Sequence, residues 1–397
     1  MQTSTQLQLS LMMLLEYFIW GAWFVAMGIY LPKVLQASGG QVGLAYGNAW
    51  FGALVSPFFI GMIADRYFSA QKVLGVLHLV GAVLLYWLAQ IQDIGLFPWV
   101  LLLYSCLYMP TVALTNSIAM GQCAEPEREF PTLRVLGTIG WIVAGIAVNS
   151  RADSNFIFTL PAGLSLALGI YSFFLPDTPP KGKAAASSWR EVIGLDALKL
   201  LKDRSYATFF IGSILLCVPL SFYYAFTGDF LTVSGVENVT SVMGLLGQGS
   251  EVLFMFLLPF FLLKLGVRNI LLVAMLAWVA RYLFLSIGSS ELHWPLYMGV
   301  LLHGICYDFF FVTGFIYTDQ KAGERYKSSA QGLFTIATYG VGMTLGSYLG
   351  GVVADIFTVD DVRNWAGLWL VPAGIAAAIL IIFLLTFKEK AHPSAAK

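Results

Sequence analysis

Apolar residues fill this chain in long, even runs separated by short polar stretches. Twelve runs stand out, roughly 9–32, 41–64, 71–92, 96–120, 131–150, 154–175, 206–232, 240–264, 268–288, 294–317, 328–355 and 363–387. Each is near the ~20 residues that a bilayer-spanning helix needs. Backbone inside a bilayer has no water to bond to, and these runs are too long and too evenly apolar for barrel strands, so helix is predicted throughout. The expected fold class is an all-α membrane protein with twelve transmembrane helices.

Composition strengthens this picture. Of 397 residues, 58% are hydrophobic and only 11% charged, against about 25% charged in a typical soluble domain. The formal net charge is zero, which argues against a nucleic-acid partner. The cysteines Cys106, Cys123, Cys217 and Cys306 show no metal-ligand spacing, and no disulfide is expected. The opening MQTSTQLQLS has neither basic residues nor a small-residue cleavage site. It reads as the start of the first helix and not as a removable signal.

Charge placement predicts orientation. With the N-terminus in the cytoplasm, the inner loops and C-terminus hold seventeen basic residues, among them Arg66, Lys72, Arg128, Arg204, Lys264, Arg268, Lys321, Lys327 and Lys388. The outer loops hold three, Lys33, Arg151 and Arg363, while Arg134 and Arg281 fall within spans. Both termini are therefore expected inside.

The longest connection, about 176–205, divides the chain into a six-helix half over 1–175 and another over 206–397. It opens with Pro176, Pro179 and Pro180, and Ser188–Glu191 has capping-box spacing for a short amphipathic helix. The halves carry weak marks of duplication. Pro57-Phe58-Phe59 matches Pro259-Phe260-Phe261, and Glu127-Arg128 matches Glu324-Arg325. Two related halves are expected to place a substrate site at their interface, near the midplane.

The polar residues inside the spans carry the candidate chemistry, because each costs several kcal/mol unless it faces a cavity or a partner. Span 10 holds His303, Tyr307 and Asp308. Span 8 holds Gln248 and Glu251, three apart and so on one helix face. Span 5 holds Arg134, Thr138 and Trp141, spaced four and three. Span 7 holds Ser221, Tyr223 and Tyr224, span 1 Glu16 and span 9 Arg281. Glu251 and Asp308, each beside hydrogen-bonding groups, suit a polar site that exchanges a proton. Arg281 is expected to partner a carboxylate structurally, and His78 to be a satisfied interior histidine. Trp99, Trp294, Trp365 and Trp369 near span ends are expected to be interface anchors. Glu16 has two readings: a structural pair with a basic residue such as Arg134, or a second proton-sensitive group. No HExxH, GxSxG or paired His/Asp set and no large soluble domain appear, which disfavours a polytopic enzyme or receptor.

Two resemblances follow from these residues. Gly61-Met62-Ile63-Ala64-Asp65-Arg66, with Lys72 two places late, resembles the G-x-x-x-D-R-x-x-x-[RK] signature of the major facilitator superfamily. There Gly61, Asp65 and Arg66 would form a cytoplasmic latch. Over nearly the whole chain, FPTLRVLGTIGW (130–141), Gln248-x-x-Glu251, AWVARY (277–282), YDFF (307–310) and SAQGLF (329–334) resemble the bacterial nucleoside:proton symporters of that superfamily. The resemblance implies a proton-coupled importer of nucleosides in the inner membrane. It would work by alternating access, as a monomer in the lipid bilayer, with the proton as coupling ion and no cofactor or metal. It implies substrate-binding roles for Arg134, Thr138, Trp141, Ser221, Tyr224, Gln248, Glu251, His303, Tyr307 and Asp308, and proton coupling through Asp308, Glu251 or Glu16. Two departures stand out. Ser221 and Tyr224 replace amides on helix 7, and Glu16 replaces an uncharged polar residue. A same-fold carrier of another polar solute, such as a sugar or a modified nucleoside, is the alternative.

Overall fold

The computed structural model describes residues 3–179 and 195–388. The side chains at 57–59, 61–66, 126–127, 324–325 and 328 lie outside the described residues. The expected latch side chains Gly61, Asp65 and Arg66, the duplication marks Pro57-Phe58-Phe59, Glu127 and Glu324-Arg325, and the expected helix start at Ser188 therefore lie outside the described residues.

Nine helical stretches among the described residues are long and apolar enough to cross a membrane. One of them, Val239–Ile287, contains two spans. It is divided at Gly266, whose φ of 72° is a left-handed conformation that a side chain disfavours. Helices Gly39–Arg66 and Phe156–Ser172 complete the twelve. Gly323, at φ 59°, makes the corresponding break between spans 10 and 11. The backbone of Gly39–Arg66 is helical to its end, so the signature residues 61–66 belong to span 2 and not to a loop.

The chain packs as two compact units, Met1–Ser187 with Asn238–Gly244, and Ser188–Glu237 with Leu245–Lys397. In the first, span 1 (Thr3–Val34) packs on span 5 (Pro126–Val148), span 2 on span 4 (Phe97–Gln122), and span 3 (Ala70–Leu88) on span 6 (Phe156–Ser172). In the second, span 7 (Arg204–Val233) packs on span 11, which contains Met343–Ile356. The long helix Gly249–Ile287, holding spans 8 and 9, packs on His303–Tyr307 of span 10 and on span 12 (Trp365–Thr386). The first-with-fifth, second-with-fourth and third-with-sixth pattern recurs, which is the duplication expressed as packing.

Large apolar side chains such as Phe256, Leu263, Ile356 and Leu385 point outward and are exposed, as lipid-facing residues of spanning helices would be. Trp99 and Trp294 are exposed, consistent with interface anchoring. Trp369 is not an anchor. It is fully buried and stacks on Tyr282 with ring centroids 6.0 Å apart, because its helix face turns into the unit's core.

Span 7 begins with a built cap. Asp203 accepts hydrogen bonds from the backbone N–H groups of Ser205 (2.8 Å) and Tyr206 (3.1 Å), and the Lys321 ammonium lies 2.8 Å from its other oxygen. That ammonium, with the capping N–H groups, holds the Asp203 carboxyl below the usual carboxylate range. Its stabilisation is therefore complete above the unfolded value and is lost as pH falls through the lower folded one. Asp203→Ala is expected to lower stability by about 1 kcal/mol, whereas Asp203→Asn, which keeps a capping oxygen and loses only an exposed ion pair, should stay close to wild type. Thermal melts of the purified variants in detergent check this. Equal losses would show that the charge and not the cap matters.

Candidate functional site

In the first unit, Arg134, Thr138 and Trp141 lie half-buried along span 5. Their spacing of four and three places them on one face. Span 1 approaches this helix so closely that a Cβ on Gly140 would sit 2.2 Å from the carbonyl oxygen of Leu14. Only glycine fits there. The approach brings the Arg134 guanidinium over the ring of Tyr17 (4.1 Å to the centroid) and sets Trp141 edge-on to Trp20 (5.3 Å). The result is an aromatic wall with one cation and one hydroxyl.

Glu16 does not pair with Arg134. It is fully buried, and its Oε2 lies 2.9 Å from Nε2 of His78 on span 3, while Thr111 Oγ1 on span 4 lies 2.6 Å from Oε1. Tyr108 donates to the Glu16 carbonyl at 2.5 Å. The rotation of span 1 turns Glu16 into its own unit, and Arg134 is occupied by Tyr17. His78 is, as expected, a satisfied interior histidine. Ser165 donates its hydroxyl to the His78 carbonyl (3.0 Å), which leaves Ser165 Oγ as acceptor for the His78 Nδ1–H (3.0 Å). The 2.9 Å contact between Nε2 and the carboxyl therefore holds one shared proton, and every polar atom of the pair has a partner.

In the second unit, spans 8 and 10 are locked together by a steric device. Gly304 donates its N–H to Ser250 Oγ at 2.9 Å, and a Cβ there would meet the Ser250 carbonyl at 2.4 Å. This contact sets the height of Gln248 and Glu251 against His303, Tyr307 and Asp308. The three chemical positions also coincide with wide π turns. One ends at Gln248 (Met243–Gln248), one begins at Asp308 (Asp308–Val312), and one contains Tyr339 (Ile336–Gly342). Such turns re-aim side chains and recur at functional sites.

Glu251 is partly exposed, and its Oε2 lies 3.8 Å from Nε2 of His303. On the other side of the ring, Arg281 Nη2 lies 3.2 Å from His303 Nδ1. The Arg281 guanidinium lies over the Tyr223 ring at 3.3 Å to the centroid, and that ring stacks on His303 (5.3 Å, 16°). Tyr224 meets His303 edge-on at 6.1 Å. Arg281 thus faces an imidazole and a phenol ring. Among the described residues no carboxylate lies within 4.0 Å of it, contrary to expectation. Tyr307 accepts a 2.6 Å hydrogen bond from Tyr339.

Asp308 is fully buried, with Phe309, Phe310 and Phe311 next in sequence, and neither carboxyl oxygen has a hydrogen-bond partner among the described residues. A lone buried carboxylate is expensive, and the neutral acid is much less so. Ser221 is placed differently from its sequence role. Its hydroxyl is engaged with the carbonyls of Cys217 (2.8 Å) and Met343 (3.1 Å), and it fills the span 7–11 contact opposite Gly346. Tyr223 was named among the polar residues of span 7 without a binding role, and Tyr339 was not singled out. The available signal was a tyrosine in mid-span, which sequence alone does not separate from packing.

No group of three or more His, Cys, Asp or Glu residues suited to a metal occurs among the described residues. Chemically, each unit offers aromatic faces beside a few directional polar groups. The second adds two carboxyls of unlike environment.

Comparison with known proteins defines the class. The chain is 43% identical over 97% of its length (94% of the relative) to YegT of Escherichia coli K12, whose name gives nucleoside transport as an unconfirmed role. It is 34% identical to the xanthosine permease of the same organism, over 99% of this chain and 98% of that one. The crystal structure of the nucleoside transporter NupG superposes with a TM-score of 0.89 at 30% identity, over 97% of this chain and all of that one. This is a multi-pass membrane transporter of the major facilitator fold. The family model for nucleoside H+ symporters matches residues 1–392, and the chain belongs to that family.

The Glu16–His78 pair yields a specific expectation. Glu16→Gln can donate an amide N–H to His78 Nε2 and should leave both stability and the pH profile of uptake near wild type. Glu16→Leu strands the buried ring nitrogen and should cost about 1–3 kcal/mol. Melting temperatures, together with uptake between about pH 5 and 8, decide. A pH profile shifted by Glu16→Gln would make the pair a proton-coupling group.

Proposed function

We propose that this protein imports nucleosides together with protons across the bacterial inner membrane, as a monomer with both termini in the cytoplasm. Membership of the nucleoside H+ symporter family and the names of NupG and the xanthosine permease support the substrate class. The seventeen-to-three bias of basic residues supports the orientation.

The observation that carries the coupling is Asp308. A fully buried carboxyl with no hydrogen-bond partner is stable as the neutral acid, so it holds a proton until the transport cycle opens it to water. Loading the proton removes a buried charge and favours the inward movement of the substrate-bound carrier. Release into the cytoplasm resets it. Glu251, partly exposed and faced by His303, is suited to accept hydrogen bonds from ribose hydroxyls. Gln248, Arg134 and Thr138 offer directional polar groups for the base or sugar, and Trp141, Tyr224 and Tyr307 offer flat faces. Ser221 acts through packing. Glu16 is assigned a structural role in its own unit.

Two outcomes test this reading in proteoliposomes. Asp308→Asn keeps the shape but cannot cycle a proton. Uphill accumulation should fall on the order of tenfold to a hundredfold, the usual size of a coupling between sites, while exchange of labelled for unlabelled nucleoside persists. Wild-type accumulation by that variant would sink the proton assignment. The second outcome concerns specificity. With Ser221 engaged by backbone and Tyr224 in place of an amide, edge-reading donors are few and stacking area is large. Purine and pyrimidine nucleosides should compete for labelled uridine uptake within about tenfold of one another, because sharp rejection normally comes from a buried site donor that the wrong substrate leaves unpaired. A strong preference for one base, or competition only by sugars, would count against it.

A further inference from the structure

The second unit holds a buried cation that the symport mechanism does not use. Arg281 is fully buried, yet among the described residues it contacts an imidazole and a phenol ring and not a carboxylate. Its hydrogen-bond partner is what matters. A guanidinium has five N–H donors and no acceptor. The 3.2 Å contact from Arg281 Nη2 therefore requires His303 Nδ1 to accept, with its lone pair free of a proton. A neutral imidazole whose Nδ1 accepts carries its one proton on Nε2. That nitrogen is the one facing Glu251 Oε2 at 3.8 Å.

We propose that Arg281 is a positioning residue that fixes His303 as a neutral Nε2–H donor facing Glu251, so that His303 presents a permanent hydrogen-bond donor at the substrate site and takes no part in carrying the coupling proton. The inference rests on the symport reading for its consequence in transport, but not for the tautomer itself. The groups facing the ring are Arg281 and Glu251 from the long helix Gly249–Ile287, Tyr223 and Tyr224 from span 7, and Tyr307 from its own helix. Arg281 alone among them is a fixed cation. A second proton on the ring would have to displace its hydrogen bond and place two buried cations within contact. Tyr223 holds the geometry from both sides, since its ring stacks on the imidazole and lies under the guanidinium. Glu251 gains a donor of fixed direction and remains an acceptor for substrate. The proton is left to Asp308.

The test reads the ring directly. In full-length protein labelled with 15N-histidine, the chain's four histidines are distinguished by loss of one signal in His303→Gln. Wild-type His303 is expected to keep the Nε2–H neutral signature from about pH 5 to 8. In Arg281→Met, with no donor behind Nδ1, the Nδ1–H tautomer should appear beside the Nε2–H form. In proteoliposomes the same variant should raise the KM for labelled uridine about 10-fold, and Arg281→Met/His303→Gln should show no rise beyond that of His303→Gln alone. A His303 that titrates or is doubly protonated in wild type overturns the proposal. So does an Arg281→Met ring that keeps the Nε2–H tautomer alone. The wild-type spectrum needs no variant to fold and no transport. If uridine is not taken up at all, the symport reading fails while the tautomer is still decided.

Discussion

A carboxyl group carried below the surface of a bilayer must find donors or give up its charge, and the two units of this protein meet that constraint in opposite ways. In the first, Glu16 is bound on both oxygens, by His78 and Thr111, and its carbonyl by Tyr108. Three helices are tied through one residue, and no polar atom of the pair is left over. In the second, Asp308 is equally buried and, among the described residues, has no hydrogen-bond partner on either oxygen. Packing alone does not account for a group kept in that condition. The coupling role proposed for it does, because the cost of the anion would make the proton stay and its hydration would make the proton leave. The contrast distinguishes the two carboxyls more sharply than burial does, since both residues are fully buried.

The working groups are held by close helix contacts. Ser250 and Gly304 bring spans 8 and 10 within backbone distance, and Gly140 does the same for spans 1 and 5. Apolar side chains gain nothing from leaving lipid, so such approaches of small residues and side-chain hydrogen bonds are what fix helix pairs in a membrane. The π turns at Gln248, Asp308 and Tyr339 then aim individual side chains from helices that are otherwise rigid. The surface proposed to read the substrate is mounted on backbone that cannot shift without opening these contacts.

The twelve spans were legible because the bilayer imposes one length and one polarity on every segment. The breaks at Gly266 and Gly323 lay within polar stretches already marked as loops. Partnerships were less legible. Glu16 and His78 are 62 residues apart, and which basic group meets a carboxyl depends on the rotation of each helix about its axis, which an evenly apolar segment does not encode. The pairing with Arg134 failed for that reason. The assignment of Trp369 to the membrane interface failed likewise, since position near a span end says nothing of the face. Ser221 was placed by resemblance at a substrate position, but a serine on a helix bonds its own backbone more easily than a ligand. Chemistry that depended on residue type alone, the mid-membrane cluster of His303, Tyr307 and Asp308 with Glu251, was visible from the start because its cost is high wherever it points.

The two buried histidines show how little of a site's chemistry resides in the residue itself. Each has a glutamate carboxyl facing its Nε2, at 2.9 Å for His78 and 3.8 Å for His303. The neighbour on Nδ1 differs. For His78 it is a serine oxygen whose own proton is directed elsewhere, so Nδ1 must donate, and the proton on the other side is shared with Glu16. For His303 it is an arginine that can only donate, so Nδ1 must accept, and Nε2 keeps its proton. One ring is part of a closed pair, and the other is a donor aimed at an open, partly exposed carboxylate. The tautomer follows from the group behind the ring and not from the carboxyl in front of it. A serine behind one histidine therefore makes a structural brace, and an arginine behind the other makes a fixed donor facing a partly exposed glutamate.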